Sequence, residues 1–328
     1  MMIQVEHLTK YFGPVLAVDD ISFEVDKGQI VGFLGLNGAG KTTTMRILTT
    51  YLPATSGVAK VAGFDVMNQS MDVRKNIGYL PDNVPLYPEM RVEEYLDFRA
   101  KLKGVDRKSR PKRMEFCLDR CRIREVRRRL MGTLSKGYRQ RVGLADAMIH
   151  DPNILILDEP TAGLDPEQQD QTLNLIKELG ADHTIIFSTH RLTEVESICQ
   201  QVIIIFRGRI RLHRRLKDLE SDAPIMAEVR GDAEKVTNLL RSVEGVSKVT
   251  SRKADDGANL FEVRTRGTLD LREVVGQKLV NNGFGLRRLE RRASLQEYFM
   301  DLMRERDPAP SPAPTVQPPA PPSDAVKA

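Results

Sequence analysis

Over the first two-thirds of the chain, short apolar runs alternate with segments of helical spacing. Residues 21–25, 29–34, 154–157, 184–188 and 202–206 are apolar and bounded by turn residues, which predicts strands, and a helix opens at Lys41. Strands alternating with helices from Ile3 to Arg215 predict an α/β layered fold. Between residues 83 and 150 the strand pattern gives way to amphipathic helical segments beginning at Val92, which reads as a helical insertion. After residue 220 the pattern changes again. Apolar alternation at 224–230, 247–252, 260–265 and 285–289, with helical spacing at 233–243 and 269–281, gives the order βαββαβ, a ferredoxin-like α+β unit. A last helix at 295–304 is expected to cover one end of that unit. Beyond Asp307 the chain is Pro- and Ala-rich with too little apolar content for a core, which predicts an extended, disordered tail.

At 328 residues there is room for about two domains. The expected units are residues 1–215, a C-terminal unit at 222–306 and the tail at 307–328. The longest apolar runs, 154–157 and 202–206, are far shorter than a membrane span, and the start of the chain lacks a secretory signal pattern. A cytoplasmic protein is expected, and the three cysteines, Cys117, Cys121 and Cys199, suit a reducing compartment.

The net charge of +5 matters less than its distribution. Arg and Lys crowd between Arg99 and Arg141, densest at Arg120-Cys-Arg-Ile-Arg-Glu-Val-Arg-Arg-Arg129. That spacing fits acidic lipid headgroups, nucleic acid, a partner's acidic face or simply a solvated helix surface.

The chemistry concentrates in a few places. Gly35-Leu36-Asn37-Gly38-Ala39-Gly40-Lys41-Thr42, followed by Thr43, lies between an apolar strand and a helix. This is the context of a phosphate-binding loop: glycines let backbone amides approach phosphate oxygens, and the helix N-terminus adds donors and a favourable dipole. Lys41 would reach the β- and γ-phosphates and the Thr42 hydroxyl would hold Mg²⁺. The apolar strand 154–157 ends in Asp158 and Glu159, where a buried parallel strand delivers them to the ligand edge of its sheet. Asp158 can hold the metal, and Glu159 can orient or deprotonate an attacking water.

The span from Ile3 to Arg215, which carries these residues, resembles the ATP-binding subunits of ATP-binding cassette (ABC) transporters. The loop from Gly35 to Thr42 resembles the Walker A motif and residues 154–159 resemble Walker B. Leu134-Ser135-Lys136-Gly137-Tyr138-Arg-Gln-Arg141 resembles the family signature, Ala162-Gly-Leu-Asp165 the D-loop, and Ser188-Thr-His190 the switch histidine. Phe12 falls where an aromatic ring stacks on adenine, a core aromatic being the other reading; His7, His150, His183 and His213 read as surface or internally satisfied residues.

The resemblance implies a P-loop NTPase cassette, with ATP and Mg²⁺ as ligands and two chains sandwiching two nucleotides. Ser135 and Gly137 of one subunit then meet the γ-phosphate held by the other, and Asp165 connects the two sites. It also implies a second ATP-binding subunit, as homodimer or heterodimer, and an integral membrane permease. The chain would be peripheral on the inner face of the cell membrane, with a groove for the permease in the region 79–99.

Two departures stand out. Asp82 replaces the usual Gln after the third strand, and Lys136 and Tyr138 replace Gly and Gln in the signature. Both resemble the subfamily that serves exporters, including gliding-motility and sodium or drug-efflux types. The leading expectation is therefore an exporter ATPase. The alternatives are a soluble ABC ATPase acting on ribosomes or nucleic acid, which rests on the basic region alone, and a regulatory, hydrolysis-poor subunit, which rests on Asp82. The C-terminal unit is expected to regulate or to help dimerise the chain.

Overall fold

In the computed structural model of the chain, the described residues are 1–221, 224–254, 257–266 and 270–291, with Leu295 and Phe299. An antiparallel sheet is built from β1 (Ile3–Phe12), β2 (Val15–Val25), β4 (Ser56–Val61) and β5 (Phe64–Asp65), in the order β2-β1-β4-β5. Most of it goes beyond the strands that the apolar pattern predicts. Register shifts between Val5 and Leu8, Leu8 and Lys10, and Lys10 and Tyr11 break the two-residue alternation from which a strand is read.

The second sheet has six strands: β3 (Ile30–Leu34), β6 (Ile77–Leu80), β7 (Ile154–Asp158), β8 (Thr184–Thr189), β9 (Gln201–Phe206) and β10 (Arg209–Arg215). Its order is β10-β9-β3-β8-β7-β6, parallel except for β10. Every residue of β3, β7 and β8 is buried, because both faces of a parallel sheet are covered. Within β7, Ile154 and Ile156 join the core shared with the antiparallel sheet and with α1 (Lys41–Leu48). Leu155 and Leu157 face the opposite core. That core is filled from α3 (Val92–Leu102), α4 (Arg110–Arg120) and α5 (Lys136–Met148), with α6 (Pro166–Leu179) beside them. A short helix, α2 (Ser70–Asn76), precedes β6.

Register sets up the chemistry. Leu34 pairs with Thr189 across β3 and β8, and Asp158 pairs with Ser188 across β7 and β8. The carboxyl ends of these neighbouring parallel strands are therefore level, and the residues that follow each of them emerge at one edge of the sheet.

Beyond α7 (Leu192–Ile198) and α8 (Leu216–Ser221), the elements are β11 (Ile225–Arg230), α9 (Ala233–Arg241), β12 (Val246–Lys253), β13 (Ala258–Thr265), α10 (Arg272–Asn281) and β14 (Gly285–Arg291). Their sheet is antiparallel in the order β12-β13-β11-β14 and has its own core, in which Phe261, Val263, Val236 and Leu279 are fully buried.

One expectation is corrected. Leu295 and Phe299 do not cap this unit: they pack with Leu34, Val195, Val202, Ile204 and Leu212 of the six-stranded sheet and α7. Their spacing of four residues places two apolar side chains on one helical face, and that pattern cannot say which core receives them. The rest of the expected last helix and the Pro-rich tail lie outside the described residues. No helix among the described residues is long and apolar enough to cross a membrane.

Candidate functional site

The loop after β3 is tied closely to its surroundings. Gly38 (φ 78°) and Gly40 (φ 108°) adopt left-handed backbone, and a Cβ on Gly40 would lie 2.6 Å from the Ala17 carbonyl oxygen. A Cβ on Gly35 would lie 2.5 Å from the Ile205 carbonyl oxygen. Only glycine fits either place. Leu36 and Asn37 are exposed and Ala39 is buried; Gly40 is the N-cap of α1, and Lys41, Thr42 and Thr43 form its first turn.

Lys41 is 5% exposed, and its Nζ donates to the carbonyls of Gly35 (2.8 Å) and Leu36 (3.2 Å). The same ammonium lies 3.1 Å from Glu159 Oε1, outside hydrogen-bond geometry, so that contact is electrostatic. Asp158 Oδ1 accepts from Thr42 Oγ1 (3.2 Å) and Ser188 Oγ (2.6 Å), whereas its buried Oδ2 has no hydrogen-bond partner. Burial pushes the Asp158 carboxyl above its ordinary pKa, and the charges of Asp82 and Glu159 add to this. The hydrogen bonds from Ser188 and Thr42 oppose it.

Glu159 has φ 49°, a left-handed conformation that costs a non-glycine residue energy and that clusters at functional sites. Its N–H donates to the Ser188 carbonyl (3.2 Å) and Oγ (3.0 Å), and its Oε2 lies 3.0 Å from His190 Nδ1. Thus Lys41, Thr42, Asp158, Glu159 and His190, drawn from three strand ends, form one connected group.

The remaining candidates form a second group. Ser135 caps α5, its Oγ accepting the Tyr138 N–H at 3.4 Å, and Asp165 caps α6, its Oδ1 accepting the Gln168 N–H at 2.9 Å. Gly137 carries Gln168 so closely that a Cβ would lie 2.4 Å from Gln168 Oε1. Lys136 folds onto Gly163 in the same way, its Nζ 2.3 Å from where a Cβ would sit. Ser135, Gly137, Asp165 and Gln168 line a cleft of about 250 Å³. Among the described residues no hydrogen bond or ion pair joins these side chains to the Lys41 group.

Phe12 ends β1 with its side chain 45% exposed and Lys10 Nζ 5.1 Å from the ring centroid, so it is a surface ring and not a core one. The four other histidines have partners: His7 meets Asp20, His150 meets the Ile77 carbonyl, His183 meets the Pro152 carbonyl and His213 meets the Gln201 side chain. Two further side chains to which sequence reasoning gives no role of their own lie beside the site residues. They are Ser188, and a buried carboxylate, Glu194, which binds Thr161 and Thr189.

The family model for ABC transporters matches residues 18–162. The chain is 39% identical over 207 residues to the ABC transporter ATP-binding protein NatA of Bacillus subtilis, covering 62% of this chain and 84% of that protein. It is 33% identical over 254 residues to the linearmycin resistance ATP-binding protein LnrL of the same organism, covering 76% and 82%. A solved structure of the ATP-binding subunit of an ABC transporter superposes with a TM-score of 0.61 at 28% identity, covering 67% of this chain and 92% of that one. The chain therefore belongs to the ATP-binding proteins of the ABC transporter family, and it is an ATPase.

Proposed function

We propose that this chain is the energy-supplying subunit of an ABC exporter, driving a separate membrane permease by closing and opening an ATP sandwich of two such subunits. The observation that carries this reading is the separation of the two groups of site residues. Ser135 and Gly137 open helix α5 beside a solvent-facing cleft, apart from the Lys41 loop of their own chain, so their donors are available to a nucleotide held by a second chain.

In this reading the amides from Gly35 to Thr43 cradle the phosphates, Lys41 pairs with the β- and γ-phosphates, and Phe12 stacks on adenine. Glu159 accepts the proton of the attacking water, while His190 holds Glu159 and reaches the γ-phosphate. Asp165 links one site to the other. Thr42 and Asp158 would hold Mg²⁺, and the unpartnered Oδ2 of Asp158 is the feature that fits a cation. Bound there, the metal would neutralise charge on the phosphate oxygens.

A stability effect follows from Asp158. Its raised carboxyl pKa means that the folded, metal-free protein binds this proton more tightly than the unfolded chain does. The group's contribution is therefore fully present below the ordinary value of 3.8 and is lost as pH rises through the folded pKa. Asp158→Asn, which removes the buried charge, is expected to raise the Tm of the metal-free protein at pH 7. Hydrolysis should be lost in the same variant. Thermal unfolding with and without Mg²⁺ checks this, and an unchanged or lower metal-free Tm contradicts it.

The proposed organisation is a cassette at 1–215 with a helical subdomain at 83–150, a ferredoxin-like unit at 222–306 and a tail at 307–328. The strand order β12-β13-β11-β14 supports the ferredoxin-like reading. Burial of Leu295 and Phe299 against α7, next to the switch histidine, supports a regulatory role for the C-terminal unit. A cytoplasmic location, peripheral on the inner membrane face, goes with the permease. The exposed Tyr87 ring, edge-on to Tyr95 and Phe98 at 6.0 and 5.9 Å, offers an aromatic lining for its groove.

The alternative, action on ribosomes or nucleic acid, loses its support in the ion pairs. Arg113 meets Asp151, Arg120 meets Asp182, Arg122 meets Glu178 and Arg127 meets Glu93. Arg124 meets Glu115 and Asp119. Five arginines of the region are thus matched by carboxylates of this chain, which lowers the charge offered to a phosphate backbone.

Affinity capture of the chain from detergent-solubilised cells, with and without nuclease, tests the reading. A multi-spanning membrane protein retained after nuclease treatment is expected. Ribosomal proteins or nuclease-sensitive material without a membrane protein contradict it.

A further inference from the structure

Glu194 lies on α7 with 2% of its surface exposed. Each of its carboxylate oxygens is engaged by a threonine. Thr161 Oγ1 donates to Oε1 at 2.7 Å, and Thr189 Oγ1 donates to Oε2 at 2.5 Å. Thr161 follows Glu159 by two residues, and Thr189 directly precedes His190. Thr189 Oγ1 also accepts the Arg191 N–H at 3.0 Å, and Arg191 Nη1 lies 3.6 Å from Glu194 Oε1.

Burying a carboxylate is unfavourable unless its lone pairs are satisfied, and an apolar side chain would cover the neighbouring core without that cost. Packing therefore does not account for Glu194. What it does is add a second tie, beyond the Glu159 N–H bonds to Ser188, between the segment after β7 at Thr161 and the end of β8 at Thr189. These are the segments whose side chains meet where Glu159 Oε2 faces His190 Nδ1.

We propose that Glu194 is a positioning residue for ATP hydrolysis: by holding Thr161 and Thr189 it fixes the Glu159–His190 pair in reach of the nucleotide. The inference rests on the reading of Glu159 and His190 as the reacting pair. Among the described residues no hydrogen bond or ion pair joins the Glu194 side chain to the phosphate loop, whose link to this network is the Gly35 N–H donating to the Thr189 carbonyl at 3.1 Å, so turnover is expected to change more than nucleotide binding in its variants.

Steady-state hydrolysis by the full chain, with binding of a fluorescent ATP analogue and circular dichroism as controls, tests the proposal. Glu194→Leu is expected to lower kcat by about 10- to 100-fold, the range in which small misplacements of reacting groups fall. Its analogue affinity should stay within about twofold of the parent, because uniform binding is untouched. Glu194→Gln, which can still bond both hydroxyls, should keep kcat within about threefold. Thr161→Val with Thr189→Val should lower kcat severalfold, and adding Glu194→Leu should cause less loss than the two effects multiplied, since all three act through the same two hydrogen bonds.

A folded Glu194→Leu variant with parental kcat overturns the proposal. So does equal loss of kcat and affinity in the Leu and Gln variants, or full multiplication of the Glu194 and threonine effects. If Glu194→Leu does not fold, the threonine pair decides: parental kcat there overturns the proposal. Glu159→Gln, assayed alongside, separates the two levels. If it still hydrolyses ATP, the reading of the reacting pair fails. If it is inactive while the Glu194 and threonine variants turn over normally, only the positioning role fails.

Discussion

Replacing Glu159 by Gln is expected to lower ATP hydrolysis by about 10²–10⁴, the usual worth of a positioned general base, and to leave an ATP-bound dimer that does not reopen. The amide has the carboxylate's shape and keeps a hydrogen-bonding atom toward His190 Nδ1, now 3.0 Å from Oε2. It cannot take a proton from water at neutral pH. It also removes the negative charge that lies 3.1 Å from Lys41 Nζ, so the ammonium is freer to pair with phosphate. Binding is therefore expected to be preserved or tightened while turnover collapses. The variant should run as a dimer with ATP and as a monomer without it on size exclusion with light scattering. A Glu159→Gln chain that remains monomeric at millimolar ATP, or that hydrolyses normally, contradicts the role given to this residue.

The second large effect is expected at Lys41. Its ammonium is buried and held by two carbonyls of the phosphate loop. Lys41→Ala should reduce hydrolysis by about 10²–10³, as the removal of one preorganised donor to developing charge does elsewhere. In contrast to Glu159→Gln, affinity for ATP should fall as well, by about tenfold or more, because a charge-assisted bond to phosphate is lost in the bound state itself. Glu159 then keeps His190 but loses its cationic neighbour, so the nucleotide-free Tm should also drop. Titration with a fluorescent analogue, run below that Tm, reads the affinity. Unchanged affinity together with unchanged turnover would exclude Lys41 from the site.

Much of the site is legible in the sequence because its parts are contiguous. A phosphate loop needs glycines, a lysine and a hydroxyl in a fixed short order, and the buried strand that delivers Asp158 and Glu159 is four apolar residues running directly into them. The antiparallel sheet is less legible. Its strands twist through shifted registers, and His7 and Asp20 take left-handed backbone in the middle of β1 and β2, so apolar side chains do not alternate cleanly.

The basic stretch shows a different limit. The sequence displays Arg120 and Arg122 but not that Asp182 and Glu178, some sixty positions away, are folded against them. Glu194 is hidden for a related reason. On a seven-residue helix, two residues before a second glutamate, Glu196, it looks like an ordinary solvated acid, and only the register of β7 and β8 brings Thr161 and Thr189 to it. Leu295 and Phe299 carry a clear helical pattern whose destination is set by the neighbouring surface and not by the pattern.

The central claim is that a working site takes its phosphate loop from one chain and its signature from another. Mixing two inactive variants tests this most directly. Lys41→Ala removes the phosphate-loop cation and leaves Ser135 intact, whereas Ser135→Arg obstructs the signature and leaves Lys41 intact. Each alone should hydrolyse ATP weakly. A mixture should regain activity, because every hybrid dimer contains one site with both halves intact. A mixture no more active than the sum of its parts, from two variants that remain folded, would mean that each chain completes its own site, and the sandwich account would be wrong.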